Sequence, residues 1–178
     1  MTVACVGDSF CEPGSPVPPA IAAVLGETTT SLGVRGISTH TAAARGYDLG
    51  GASLAVVVLG SNDSRPASVD DVRALDASLR AQGARVVWLC PPHAPAGSPV
   101  LGRAEAMAGV LASAGVTYVP PATAELGADG VHPTAAGARA MAVAAAPTLR
   151  GTVPTYVLGA GLAVALVLVL VALGAAVR

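Results

Sequence analysis

The chain is expected to fold as an α/β domain: a flavodoxin-like three-layer α/β/α sandwich around a five-stranded parallel sheet of order 2-1-3-4-5. Three observations carry this expectation. Short apolar runs alternate with helical patterns, as in repeated βαβ units. Residues 54–59, Leu-Ala-Val-Val-Val-Leu, are apolar on both faces, as a central parallel strand must be. Polar, Gly-containing segments follow the first and third apolar runs, where this strand order reverses and ligands bind.

Residues 2–6 read as the first strand. The Pro-rich stretch 13–19 turns the chain, with Gly14 in the turn, and a short Ala-rich helix runs to Leu25. Residues 28–34 form the second strand and 54–59 the third. Ser68 caps a helix to Ala81, with Asp70 and Asp71 in the first turn where acids suit the helix dipole, and Gly83 ends it. Residues 85–90 make the fourth strand, stopped by Pro91 and Pro92, with Trp88 as a core residue. A helix over 102–114 ends near Gly115, and 116–119 is the fifth strand. Thr134 caps a last Ala-rich helix to Ala146, where Pro147 stops it.

Residues 1–149 make one domain, long enough to bury a core. Residues 150–155 are a short linker, and 156–177 run for 22 residues without a charge. At ~1.5 Å per residue that run crosses the ~30 Å hydrocarbon core of a bilayer, which predicts a single C-terminal transmembrane helix with the lipid bilayer as partner. Arg150 and Arg178 flank it singly, so charge bias sets no orientation. No basic n-region precedes the first strand, so the domain is expected to be cytoplasmic. The last helix leads back from the carboxyl edge of the sheet, which puts the anchor below the domain and the site away from the membrane.

Lys is absent, and ten Arg stand against eleven acids. No basic cluster interleaved with aromatics occurs, which argues against nucleic acid. Aromatic residues make up 3% of the chain, too few for a platform that stacks long sugar chains. Cys5, Cys11 and Cys90 show no CxxC or Cys/His metal spacing. Cys5 and Cys90 sit in apolar strands, Cys11 lies partly exposed near the first polar loop, and no disulfide is expected. No metal or other cofactor is expected, and the oligomeric state is left open.

Three polar sets follow strands: Gly7-Asp8-Ser9-Phe10, Gly60-Ser61-Asn62-Asp63 and Asp129-Gly130-Val131-His132-Pro133. A serine hydroxyl needs a base within hydrogen-bond reach, and only His40, His93 and His132 are available. His132 has an acid three residues before it, and Pro133 biases it toward an extended backbone. Such a loop holds the ring toward Ser9 while Asp129 fixes the tautomer. His40 and His93 read as solvated loop residues. No Gly-x-Ser-x-Gly elbow, P-loop or dinucleotide fingerprint is present.

The order and placement of these sets closely resemble the SGNH/GDSL hydrolase family over most of residues 3–145. The resemblance implies Ser9 as nucleophile, His132 as base, Asp129 as its orienting acid and Asn62 as an oxyanion donor, with Ser9 and Thr39 N–H groups completing the hole. Asp8, Gly36, Gly60 and Asp63 are implied to support it. Residues 34–41 stand for the family's Gly-x-Ser-Gly-x-Thr block, but Thr39 replaces its second Gly. The β-branch would crowd the hole, and a positive φ there would strain it. The implied function is a membrane-anchored serine esterase or deacylase acting on a small acyl ester. A non-catalytic binding module and an acyltransferase are the alternatives.

Overall fold

The computed structural model describes residues 1–152. Five parallel strands, β1 (Thr2–Gly7), β2 (Thr28–Gly33), β3 (Leu54–Val58), β4 (Arg85–Leu89) and β5 (Tyr118–Val119), form one sheet of order β2-β1-β3-β4-β5. The expected architecture is therefore present. Helices α1 (Val17–Leu25) and α5 (Ala135–Arg150) pack together on one face, and α2 (Thr39–Arg45), α3 (Val69–Arg80) and α4 (Arg103–Ala114) cover the other.

Strand alternation builds both cores. Val3 and Cys5 of β1 face α1 and α5, joining Ile21, Ala142 and Leu149. Ala4 and Val6 face the opposite way, joining Leu75, Trp88 and Leu111. The two-residue period of a strand requires this division. Every residue of β3 is buried, as a central parallel strand demands. Trp88 is core, and its indole N–H donates to buried Asp76 at 3.1 Å.

Four local expectations are corrected. The helix α2 occupies a stretch read as loop; Ser38 caps it by accepting from the Thr41 N–H at 3.2 Å. Seven residues are too short for a clear helical period. Strand β5 is confined to Tyr118–Val119. Pro147 does not end α5, which continues to Arg150. Leu149 is fully buried, and the Arg85 guanidinium donates to the Thr148 and Leu149 carbonyls, so packing and capping hold the turn beyond the proline.

The fourth correction concerns the cysteines: Cys5 and Cys11 form a disulfide, and Cys11 is buried. The turn after β1 folds Cys11 back onto the face that carries Cys5, a proximity invisible in linear spacing. Cys90 is free and buried. Among the described residues no helix is long and apolar enough to cross a membrane. The expected span 156–177 lies outside the described residues.

Glycines let the loop after β1 nest at the sheet edge. A Cβ on Gly33 would overlap the backbone of Cys11, Glu12 and Asp8. Backbone cannot give way cheaply, so Gly33→Ala should lower unfolding free energy by at least about 1–3 kcal/mol. Denaturant unfolding of the variant beside the wild type measures this.

Candidate active site

The carboxyl ends of β1 and β3 present two of the polar loops, and the segment entering α5 presents the third. Ser9 Oγ lies 2.8 Å from His132 Nε2, and His132 Nδ1 lies 2.6 Å from Asp129 Oδ2. The structure thus brings together the three residues on which the sequence reading depended. Asp129 Oδ1 accepts from the Val131 and His132 N–H groups at 2.9 and 3.0 Å. Hydrogen bonds from His132 and these two amides hold the Asp129 carboxyl down at about 2.

That loop is held from behind. Gly130 takes φ +64°, and the Gly127 N–H donates to the His132 carbonyl at 2.8 Å. Leu126 bridges Pro133, and Ser98 donates to the Gly130 carbonyl at 2.9 Å. Phe10, buried beneath, packs its ring 5.6 Å from that of His132.

Asp8 is fully buried beside the nucleophile and serves as the structural clamp it was expected to be. Its Oδ1 accepts from the Phe10 N–H at 3.0 Å. Its Oδ2 accepts from the Ser61 hydroxyl and, at 2.9 Å, from the Asn62 amide. Burial outweighs these hydrogen bonds and pushes the Asp8 carboxyl up to about 6. The Asn62 amide donates to Asp8 and, at 3.4 Å, to the Ser61 hydroxyl. Among the described residues the Ser9 N–H has no hydrogen-bond partner.

Thr39 departs from its expected role. Its N–H donates to Asp63 Oδ1 at 2.7 Å and its hydroxyl to Asp63 Oδ2 at 2.8 Å. The cause is helical: Thr39 opens α2, whose first N–H groups lack intrahelical acceptors, and Asp63 supplies one. This N–H is therefore removed from the oxyanion hole. The expected backbone strain is absent too, since among the described residues no non-glycine residue has a positive φ. Gly36 takes φ +73° and Gly60 φ +108°. A Cβ on Gly60 would press on the Met107 side chain.

His40 pairs with Asp71 at 3.1 Å and His93 with Glu105 at 2.7 Å, both at the surface. The sequence reading missed Glu12 and Arg35, which line an open cleft of about 480 Å³ together with Ser9 and His132. They are 23 residues apart, and only the β1–β2 register, which pairs Gly7 with Gly33, brings them together.

Buried Asp8 binds protons more tightly in the folded state than in the unfolded chain. Its raised value makes the folded protein lose stability as pH rises from about 4 to about 6. Asp8→Asn should abolish that slope and lower kcat by loosening Asn62. Unfolding midpoints across this pH range, compared between variant and wild type, read the first effect directly.

The GDSL-like lipase/acylhydrolase family model matches residues 5–140. No curated protein matches the chain. Among solved structures, TesA is 23% identical, with a TM-score of 0.62 over 86% of this chain and 100% of that one. The aryl esterase of M. smegmatis is 18% identical, with a TM-score of 0.61 and the same two coverages, 86% and 100%. Est24, a carbohydrate acetylesterase from Sinorhizobium meliloti, is 17% identical, with a TM-score of 0.61 over 86% of this chain and 100% of that one. These identities establish a shared fold, and the family match covers most of the domain that carries the three loops. The chain belongs to the GDSL-like lipase/acylhydrolase family.

Proposed function

We propose that the protein hydrolyses small acyl esters through an acyl-serine intermediate, with Ser9 as nucleophile, His132 as general base and Asp129 as its partner. The 2.8 Å approach of Ser9 Oγ to His132 Nε2 carries this reading. His132 takes the Ser9 proton as the oxygen attacks the ester carbonyl. The resulting oxyanion meets the Ser9 N–H and the Asn62 side-chain amide, each such donor supplying roughly 3–4 kcal/mol in the transition state. The imidazolium, steadied by Asp129, returns the proton to the departing alcohol. Water then attacks the acyl-serine with the same base, releasing the acid and restoring the hydroxyl.

The uncharged run 156–177 supports attachment to a lipid bilayer. The Cys5–Cys11 disulfide favours an oxidising side of that membrane over the cytoplasm, which is where the sequence alone had put the domain.

A fluorophosphonate probe should label the wild type at Ser9 and leave Ser9→Ala unlabelled; a folded wild type that takes no label would end the reading. Asn62→Ala should reduce kcat by about 10²–10³ with a small change in KM, since the oxyanion exists only in the transition state.

A further inference from the structure

We propose that Glu12 and Arg35 form a leaving-group subsite that selects esters of uncharged, hydroxyl-rich alcohols. The inference deepens the esterase reading above and rests on it. The expelled alkoxide must take its proton from His132 Nε2, so the leaving group lies on the His132 side of Ser9. The open cleft of about 480 Å³ lies on that side, lined by Asp129 and His132 as well as Glu12 and Arg35.

The chemistry of that cleft is polar. Its lining includes three prolines but no Leu, Ile, Val, Met, Phe, Tyr or Trp side chain. An alkyl or aryl alcohol would bury little apolar area there, and apolar burial is what such a group needs for affinity. Arg35 Nε donates to Glu12 Oε2 at 3.1 Å, and Nη2 donates to the other carboxylate oxygen. This fork cancels the charges of Glu12 and Arg35 against each other, so the pair itself offers neither a free cation nor a free anion. It also orients what remains. A guanidinium has five N–H donors, of which two are used; a carboxylate has about four acceptor sites, of which two are used. Free donors therefore stand beside free acceptors. A hydroxyl both donates and accepts, and neighbouring hydroxyls match such a row, whereas a carboxylate or phosphate would face Glu12 and Asp129.

The scaffold fixes the pair. The Gly33 N–H donates to the Cys11 carbonyl at 3.0 Å, and the Val34 N–H to the Gly7 carbonyl at 2.9 Å. The backbones flanking Glu12 and Arg35 are thus tied at the sheet edge.

The test uses three acetate esters whose alcohols have similar acidity: an O-acetylated methyl glycoside, the acetate of a simple monohydric alcohol, and an acetate whose alcohol carries a carboxylate. Wild type is compared with the double variant E12A/R35A, which removes both charges together, and with R35K, which keeps the charge but loses the fork. The wild type should favour the glycoside ester. The double variant should lose about 10-fold more kcat/KM on that ester than on the simple acetate, mostly through KM, and R35K should lose an intermediate amount. Equal losses on both esters, a wild type indifferent to the glycoside, or a preference for the anionic ester would overturn the subsite while leaving the esterase reading intact. No hydrolysis of any ester together with no probe label at Ser9 would overturn both.

Discussion

The buried carboxylate of Asp8 is the joint on which the site depends. It receives the Phe10 amide from its own loop and the Ser61 hydroxyl and Asn62 amide from the loop after β3. The loops that carry Ser9 and Asn62 are thereby fixed to each other through two oxygens of one side chain. The clamp opposes folding while it organises the site. Raising a carboxyl from 3.8 to about 6 means that ionised Asp8 is held at an expense of roughly 3 kcal/mol at neutral pH. The sheet tolerates this because β1 and β3 are adjacent and buried, so the two loops start from a rigid edge.

A second carboxylate extends the same construction. Asp63 takes both polar groups of Thr39, joining the β3 loop to the start of α2. Asp8 and Asp63 together tie three consecutive connections into one assembly. For the proposed mechanism the consequence is a narrower oxyanion hole, without the Thr39 N–H. The threonine that replaces the family's glycine is accommodated because its backbone serves as the first turn of a helix, where a β-branched residue meets no positive φ.

The sheet, its order and the three reactive residues were legible in the sequence because each leaves a local mark. Apolar runs of strand length, a Ser before Phe10, and an acid three residues before His132 can all be read without knowing what is near what. The fates of Thr39, Cys11 and Glu12 could not be read this way. Each is decided by a partner that the folded chain delivers: Asp63 from 24 residues away, Cys5 from across a tight turn, and Arg35 from the neighbouring strand end. The run of α5 past Pro147 belongs to the same class, since Leu149 burial and Arg85 capping override a signal that is reliable only in isolation.

Two aspartates flank one serine, and their surroundings push them in opposite directions. Asp8 is buried and pushed up to about 6; Asp129 is held by amides and an imidazole and pulled down to about 2. This divergence suits the different roles proposed for them. A group that stabilises an imidazolium must remain ionised and must have an oxygen turned to the ring, and Asp129 meets both conditions with Oδ2 at 2.6 Å from Nδ1. Asp8 fails the second, since both of its oxygens accept from the clamp. The exposed position of Asp129 follows from the same logic. Its charge is secured by its own loop rather than by burial, so the cleft beside it can stay open to water and to a polar leaving group.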